Sequence, residues 1–232
     1  MNPSRRTFVI GDIHGADLAV RQCLERSEFD YASDRLICLG DVCDGWPFVR
    51  ECFDELLKIH HLDYIIGNHD LWTLQWAKTG ETPDIWTSQG GASTLSSYKD
   101  GMPASHLRCL QNAHWYLEDN ERLFVHGGMD PRFPMNQQSR DVLVWDRDLI
   151  VLAHRFAITH PHFRFSHFRE IFIGHTTTQL FHIEEPARFC NVWAMDTGAG
   201  WSGRLSMMDV ETKKFWQSDR VTDLYPHIRG RG

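Results

Sequence analysis

Short apolar runs alternate with helical spacing through the first third of the chain. Leu18–Leu24 has the three-to-four-residue period of a helix, and so do the apolar residues between Phe48 and Leu57. The runs of strand length lie at Thr7–Ile10, Leu36–Leu39 and Tyr64–Ile66. This βαβαβ order predicts parallel strands with helices packed on them, and therefore an α/β protein.

The residue pattern changes in the middle of the chain. Residues 79–101 are rich in glycine, serine and threonine, which is typical of a long functional loop or a small cap with a helical piece. We therefore expect a cap-like insertion over about residues 72–121, inside one domain that spans residues 1–232.

The second half of the chain contains further strand patterns. Leu123–Val125 and Ile171–Ile173 predict two strands, and Val142–Val151 predicts a short helix between them. The last third is predicted to be antiparallel, with strands at Val192–Met195, Arg204–Val210 and Lys214–Gln217. The final four residues, RGRG, are expected to be disordered.

Five predicted strands are each followed by a residue that can bind a metal. These residues are Asp12, Asp41, Asn68, His126 and His175. In α/β sheets, functional sites form at the carboxyl ends of the strands. Five coincidences of this kind are improbable, so the pattern predicts a metal site where these strand ends meet.

The first two strand ends carry carboxylates. Asp12 and His14 are two positions apart at a strand end, so both side chains can point toward one ion. Asp41 has two carboxylate oxygens and can bridge two ions about 3.5–4 Å apart. Taken singly, both motifs also suit ordinary turns, so the hypothesis depends on the whole set.

The remaining strand ends add an amide and two imidazoles. The Asn68 amide oxygen can serve as a neutral metal ligand, although the same residue also suits a helix N-cap. His69 follows immediately and points elsewhere, which leaves it free to act as an acid. His126 and His175 are each typical of a buried core histidine when considered alone. With the carboxylates and the amide, they form the ligand set of a two-metal site.

Composition and charge exclude several classes of protein. Hydrophobic residues make up 42% and charged residues 24%, and the net charge is −7, so no nucleic-acid polymer is expected as a partner. No apolar run approaches the roughly 20 residues of a spanning helix, and the N-terminal residues lack a signal-peptide pattern. The six cysteines form no C-x-x-C pair. We therefore expect reduced thiols in a cytoplasmic protein without a membrane partner.

The motifs GDIHG, GDVCDG, GNHD, HGG and GHTTT occur in this order along the chain. Their order and spacing resemble those of the calcineurin-like metallophosphoesterases, in particular the bacterial and phage branch of the serine/threonine phosphoprotein phosphatases. The resemblance covers roughly residues 7–217. It implies a four-layer α/β/β/α sandwich with two metal ions at the strand ends, manganese being the expected metal and iron or zinc the alternatives.

The resemblance also implies residue roles. The first metal would be held by Asp12, His14 and Asp41. The second metal would be held by Asp41, Asn68, His126 and His175. A hydroxide that bridges the two ions would attack phosphorus directly, and His69, with its imidazole held by Asp44, would protonate the leaving group.

The chain departs from the family pattern at one phosphate-binding position. Protein phosphatases of this family usually carry arginine directly after the aspartate that matches Asp44, and here Gly45 takes that place. A second family arginine, in a W-x-R element, is matched by Arg147, which we expect to bind substrate together with Asn68. The alternative for Arg147 is a surface residue in a salt bridge.

Aromatic residues are frequent around these motifs. They are Trp46, Trp72, Trp76, Trp86 and Tyr98. Such residues could line an aromatic mouth that stacks a nucleobase. Packing of the cap is the favoured interpretation.

These observations lead to three hypotheses about the function. The leading hypothesis is a phosphomonoesterase of the serine/threonine protein phosphatase type, acting on a phosphoprotein or a small phosphate ester. The alternative is a nucleotide hydrolase or phosphodiesterase, such as a diadenosine tetraphosphatase, because GNHD also occurs in those enzymes and Gly45 suits a less charged diester. A non-enzymatic scaffold is disfavoured, since His69 and every expected ligand are present. The sequence indicates no oligomeric state.

Overall fold

The computed structural model describes residues 5–228 and 230–231. In that part of the chain the strands are β1 (Thr7–Ile10), β2 (Arg35–Cys38), β3 (His61–Tyr64), β4 (Tyr116–Asp119), β5 (Arg122–Val125), β6 (Glu170–Ile173), β7 (Ala187–Phe189), β8 (Val192–Ala194), β9 (Ser206–Asp209) and β10 (Phe215–Gln217). The helices are α1 (Asp17–Arg26), α2 (Val49–Leu56), α3 (Asn68–Thr79), α4 (Asp84–Trp86), α5 (Ala92–Ser97), α6 (Ala104–Gln111), α7 (Arg140–Trp145), α8 (Asp148–Thr159) and α9 (Val221–Leu224). Shorter helical turns lie at Thr87–Gly91, Met135–Gln137 and Thr178–Phe181.

The strands form two mixed sheets. The first has the order β10-β9-β1-β2-β3, in which β1, β2 and β3 are parallel and β9 is antiparallel to both of its neighbours. The second has the order β4-β5-β6-β8-β7, in which β5, β6 and β8 are parallel. Parallel strands therefore occupy the middle of the second sheet and one side of the first.

The two sheets pack face to face. Val9 and Ile37 from the first sheet share a buried core with Phe124 and Phe172 from the second, whose rings stack at 4.9 Å. Side chains alternate between the two faces of a strand, so the neighbouring residue Phe8 points to the opposite side. Each sheet consequently has an outer face that needs a further layer.

Helices cover both outer faces. Helices α1 and α2 bury Val20, Cys23 and Phe53 against the first sheet. Helix α8 buries Ile150 and Ala153 against the second. The layer order is therefore α/β/β/α, as the family resemblance implies. None of the helices in the described residues has the length and apolar character needed to cross a membrane.

The segment predicted as a long loop or a small cap with a helical piece is largely helical. Helices α3 to α6 follow one another between β3 and β4. Trp86, Thr94 and Tyr98 are buried there and supply tertiary contacts that a sequence rich in glycine and serine does not reveal. The limits of the cap and the single-domain organisation stay predictions.

Two other expectations need correction. β8 pairs in parallel with β6 in the second sheet, so it is not part of an antiparallel unit with β9, which lies in the first sheet. Only β9 and β10 form the predicted antiparallel pair. The loop from residue 195 to residue 205 crosses between the sheets, and strand alternation alone does not show such a crossing.

The helix predicted over Val142–Val151 is broken. Asp146 has extended backbone angles, φ −62° and ψ 136°, and separates α7 from α8. Its carboxylate accepts a hydrogen bond of 3.0 Å from the Leu149 N–H and so caps the second helix. The break places Arg147 at the start of α8.

The C-terminal end was predicted to be disordered, and this is wrong for the two residues that the structure describes there. The Arg231 N–H donates to the Gly200 carbonyl oxygen over 2.9 Å, and Gly230 packs on Trp46. Arg229 and Gly232 lie outside the described residues.

Candidate metal centre

The carboxyl ends of the parallel strands meet at one edge of the sandwich. The side chains gathered there are those of Asp12, His14, Asp41, Asn68, His126 and His175. All six are buried. Five of them come from loops that follow β1, β2, β5 and β6, and Asn68 is the first residue of α3, so the structure assembles them from both sheets.

The side chains form two groups that share one carboxylate. Asp12, His14 and Asp41 make the first group, and Asp41, His126 and His175 make the second, with ligand atoms in each group within 4.8 Å of one another. The shared Asp41 Oδ2 lies 3.7 Å from His14 Nε2 and 3.4 Å from His126 Nε2. One carboxylate oxygen therefore faces both groups, as a bridging ligand must.

Backbone carbonyls orient two of the imidazoles. His14 Nδ1 donates to the Cys43 carbonyl over 3.0 Å, and His126 Nδ1 donates to the Leu39 carbonyl over 2.8 Å. A carbonyl oxygen only accepts hydrogen bonds, so Nδ1 carries the proton. In each ring Nε2 is left facing the carboxylates, the usual arrangement of a histidine that binds a metal.

The donor set fits divalent cations. His126 Nε2 faces two acceptors, Asn68 Oδ1 at 3.0 Å and Asp41 Oδ2 at 3.4 Å. His175 Nε2 is buried and has no hydrogen-bond partner in the described part of the chain. Buried polar atoms are ordinarily paired, so an unpaired nitrogen beside converging acceptors indicates a position for a cation.

Without metal, the buried charges shift one another's ionisation. Burial and then the Asp196 carboxylate raise the pKa of Asp12 well above its ordinary value. Burial would also raise the pKa of Asp41, but the neighbouring imidazoles, foremost that of His126, hold it well below its ordinary value. Burial would lower the pKa of His126, yet Asp41 and Asp12 raise it to about 10. A proton on His126 thus compensates part of the negative charge that metal ions would otherwise neutralise.

Several of these residues have a backbone conformation that is rare outside glycine. The φ angles are 50° at His14, 49° at Asp41, 67° at Asp44 and 61° at His175. Such conformations cost about 1–3 kcal/mol each and are retained where the surroundings enforce them, commonly at functional sites. Here the Asp41 carbonyl accepts the His14 N–H over 2.8 Å, which ties the first two loops together.

The His175 loop wraps closely around Asp12. A Cβ added at Gly174 would lie only 2.1 Å from Asp12 Oδ1. The next N–H, that of His175, donates to the same carboxylate over 3.0 Å. The glycine of the Gly-His motif is therefore required by close approach, and the motif links the two groups of ligands.

His69 and Asp44 form a buried pair beside the two groups. His69 Nδ1 donates to Asp44 Oδ2 over 2.6 Å, while His69 Nε2 is buried and has no hydrogen-bond partner among the described residues. Asp44 also accepts hydrogen bonds from Trp86 Nε1 at 2.9 Å and Thr94 Oγ1 at 2.6 Å. The carboxylate is thus held on several sides and orients the ring, which leaves Nε2 available for a proton transfer. The His69 ring lies edge-on to His14, with 5.1 Å between centroids.

Arg147 is exposed and lies two residues after Trp145, whose ring is 5.9 Å from that of His175. Burial, followed by the positive charge of His126 and a smaller contribution from Arg147, lowers the pKa of His175 to about 3. Arg147 thus belongs to the segment that packs against the second group, and its role in substrate binding stays a prediction.

Asp70 is a site residue that sequence reasoning missed. Its buried carboxylate accepts four backbone hydrogen bonds, from the N–H groups of Asp41 (2.8 Å), Val42 (3.1 Å), Cys43 (3.2 Å) and Gly67 (3.0 Å). It therefore joins the loop after β2 to the start of α3. The signal was present in GNHD, where Asp70 has the capping-box spacing from Gly67.

We expect Asp70→Ala to lower the free energy of unfolding by about 3 kcal/mol or more, because it leaves buried N–H groups without an acceptor. Denaturant unfolding of the metal-free protein measures this change. The exposed Asp100→Ala, as the matched control, should stay within about 0.5 kcal/mol of the unchanged protein. An equally small change in the free energy of unfolding for Asp70→Ala would show that water accepts the hydrogen bonds of these N–H groups instead.

Asp196 was also missed. It follows β8, is buried, and accepts a hydrogen bond of 2.9 Å from the Gly198 N–H. The strand-end rule that selected Asp12 would have selected Asp196 as well. It was overlooked because its strand was assigned to an antiparallel unit away from the site.

Most of the predicted aromatic residues are packing residues. Trp46, Trp86 and Tyr98 are buried, and Trp46 Nε1 donates to the Ala199 carbonyl over 2.8 Å. Trp72 is half-buried, and its ring lies 5.0 Å from His69 and 5.2 Å from the 40% exposed Trp145. Trp72 and Trp145 therefore form an aromatic wall beside the site.

Residues 5–179 match the family model described as calcineurin-like phosphoesterase. The chain belongs to the calcineurin-like phosphoesterase family. It is an enzyme that hydrolyses phosphoester bonds, and the family depends on a dinuclear metal centre. The membership of the calcineurin-like family that the sequence motifs predict is thereby confirmed.

Named relatives of this phosphoesterase differ in substrate. The chain is 26% identical over 215 residues to serine/threonine-protein phosphatase 1 of Salmonella typhimurium, covering 89% of this chain and 93% of that protein. It is 23% identical over 273 residues to a symmetrical bis(5'-nucleosyl)-tetraphosphatase of Pseudomonas fluorescens, covering 89% and 92%. A metallophosphoesterase from Sphaerobacter thermophilus has the same fold, with a TM-score of 0.59, 18% identity, and coverage of 95% and 94%.

Proposed function

We propose that this phosphoesterase is a dinuclear metal-dependent phosphomonoesterase of the serine/threonine protein phosphatase type. The observation that carries the proposal is the pair of buried ligand groups sharing Asp41, next to the His69–Asp44 pair. The proposed substrate is a phosphoprotein or a small phosphate ester. The 26% identity to a serine/threonine-protein phosphatase over most of both chains supports this choice.

The proposed ligands fall into two sets. The first metal is assigned to Asp12, His14 and Asp41. The second is assigned to Asp41, Asn68, His126 and His175. When bound, the two cations would activate a water molecule as the nucleophile and offset the charge of the phosphoryl group. Two divalent ions against the two ligand aspartates leave the ligand set itself with net positive charge within a chain of net charge −7, which suits a phosphate dianion.

The other side chains are assigned to substrate and proton transfer. His69 Nε2, oriented by Asp44, would donate a proton to the departing oxygen. Arg147 and the buried Asn68 amide would bind phosphate oxygens. These roles require no covalent phosphoenzyme, because the attacking water displaces the leaving group directly.

A second candidate is a dinucleoside polyphosphate hydrolase. The half-buried Trp72 and the exposed Trp145 form an aromatic wall beside His69, and such a wall can stack a nucleobase. The glycine at position 45 also removes a guanidinium from the expected phosphate clamp. This candidate predicts that diesters or dinucleoside polyphosphates turn over faster than monoesters.

The deciding experiment compares p-nitrophenyl phosphate with bis-p-nitrophenyl phosphate on metal-stripped protein refilled with manganese. We expect faster turnover of the monoester. Arg147→Ala should raise the KM for the monoester by about tenfold, because a charge-assisted contact to the dianion is lost. Arg155→Ala, an exposed arginine on the same helix, should leave this KM unchanged.

A faster diester reaction would contradict the monoesterase proposal. Diadenosine tetraphosphate would then be the next substrate, with Trp145→Ala as the test of base stacking. Failure of every added metal to stimulate turnover would contradict both candidates.

We also propose manganese as the metal, with iron and zinc as alternatives, and a reducing compartment such as the cytoplasm. Imidazole, carboxylate and amide donors without thiolate suit these metals. All six cysteines are free thiols, as expected where disulfides do not persist. Elemental analysis of purified protein and cell fractionation test these two statements.

A further inference from the structure

A second arginine reaches the candidate metal centre from the C-terminal end of the chain. Arg231 Nη1 lies 3.3 Å from His14 Nε2, and Arg231 Nη2 lies 3.5 Å from the Gln89 amide oxygen. The guanidinium also lies over the Trp201 ring, 4.8 Å from the centroid. Arg231 therefore borders the first group of candidate ligands.

The backbone that carries Arg231 is held by specific contacts. The Arg231 N–H donates to the Gly200 carbonyl over 2.9 Å. Gly230 lies so close to Trp46 that an added Cβ would be 2.8 Å from the indole ring. Upstream, the Tyr225 ring stacks on the same indole at 5.0 Å. The position of Arg231 thus follows from packing on Trp46 and the Gly200 loop.

The Arg231 side chain occupies space that two glycines leave open. A Cβ added at Gly45 would lie 3.4 Å from Arg231 Cγ, and one added at Gly90 would lie 3.1 Å away. Both glycines have positive φ angles, 96° and 105°, which side-chain-bearing residues rarely adopt. Position 45 is also where the family resemblance leads us to expect an arginine. The space next to this position is therefore filled by an arginine from elsewhere in the chain.

The hydrogen-bonding capacity of Arg231 is incompletely used. Its Nε is buried and makes no hydrogen bond within residues 5–228 and 230–231. His14 Nε2 has a single lone pair, so the guanidinium and a metal ion cannot both use it. In the metal-loaded protein, Arg231 therefore has donors available for another acceptor.

We propose that Arg231 is a substrate-binding residue that holds the phosphate of the substrate, in place of the arginine absent from position 45. The inference rests on the proposed phosphomonoesterase function and extends it to a specificity residue. A guanidinium can donate two parallel hydrogen bonds to phosphate oxygens. The added positive charge favours a monoester dianion over a diester monoanion.

The test uses manganese-loaded wild type, Arg231→Ala and Arg231→Lys, with inorganic phosphate as the probe. Phosphate affinity is measured by calorimetry and as the inhibition constant against p-nitrophenyl phosphate. Arg231→Ala should weaken phosphate binding and raise the monoester KM by about tenfold to a hundredfold, with a smaller effect on the diester. Arg231→Lys should recover part of the loss, because it keeps the charge without the planar fork.

The matched control is Arg220→Gln. Arg220 lies upstream on the same C-terminal segment and pairs with Glu184 at 2.6 Å, so its loss removes one positive charge at another place. Its phosphate affinity should equal that of wild type. Elemental analysis should give two metals per chain for all variants, which separates phosphate binding from metal binding.

Unchanged phosphate affinity in Arg231→Ala would overturn the inference. Tighter metal binding or faster turnover in that variant would also overturn it, because the tail would then cover the site and compete for His14. A wild type that neither binds phosphate nor hydrolyses monoesters contradicts the proposed function itself. If wild type binds phosphate, Arg147→Ala binds it more weakly and Arg231→Ala binds it as wild type does, only the role of Arg231 is contradicted.

Discussion

Asp41→Asn is expected to remove both metal ions. Turnover should fall by more than about a hundredfold, which exceeds the loss expected when a residue that only supports a metal ligand is removed. The reason is that Asp41 Oδ2 faces both ligand groups, 3.7 Å from His14 Nε2 and 3.4 Å from His126 Nε2. An amide oxygen carries no negative charge, so it cannot replace a carboxylate oxygen that is shared by two cations. Elemental analysis of the variant after refilling with manganese measures the loss.

Thermal unfolding provides a second measurement that is independent of activity. A ligand that binds only the folded state stabilises it, by about 2.7 kcal/mol at one hundred times its Kd. Manganese should therefore raise the Tm of wild type and leave that of Asp41→Asn unchanged. Asp209→Asn is the matched control, since Asp209 is a buried turn carboxylate at the far end of β9 and accepts the Glu211 N–H over 2.9 Å. Two metals per chain in Asp41→Asn would refute the bridging assignment.

His69→Asn is expected to lower kcat by about 10²–10⁴-fold on an ester with a poor leaving group. The same variant should be much less affected on p-nitrophenyl phosphate, whose leaving group needs little protonation. His69 Nε2 is buried and unpaired among the described residues, and Nδ1 is held by Asp44 at 2.6 Å, which is the arrangement of a positioned acid. Kinetics on an alkyl phosphate and on p-nitrophenyl phosphate measure this difference.

Metal content separates this role from that of a ligand. His69 belongs to neither ligand group, and only its backbone N–H bonds to Asp41, so the variant should retain two metals. Asp44→Asn should show a smaller loss with the same dependence on leaving group, because it disturbs only the orientation of the ring. His114→Asn, at an exposed histidine near Asp63, serves as the control. Equal losses on both esters would exclude proton donation by His69.

The regular parts of the fold were predictable because their signals are local. Strand β1 was predicted with its observed limits, and β2, β5 and β6 were predicted within one residue, since apolar runs bounded by glycine mark buried strands. The third strand ends at Tyr64, whereas the pattern favoured Tyr64–Ile66. Ile65 instead forms an isolated bridge with His114, a contact from a distant segment that local periodicity does not contain.

The proposed ligands could be predicted because the end of a strand can be recognised in the sequence and also defines a position at the edge of the sheet. His126 follows its apolar run directly, Asp12 and Asp41 follow theirs after one glycine, and parallel strands bring such positions to one edge. Asp196 obeys the same rule but was missed when its strand was assigned to an antiparallel unit. The wrong assignment of this strand therefore caused a residue of the candidate site to be missed.

The sequence by itself determined the strand-end chemistry, the α/β class and the order of the motifs, because these depend on residue type and short spacing. Only the tertiary structure decided which sheet holds β8, and that Asp70 ties the site loops together through four backbone N–H groups. It also decided that Arg231, 217 positions from His14, reaches that residue. Such contacts depend on how distant segments pack in space, and no local pattern of polar and apolar residues encodes that packing.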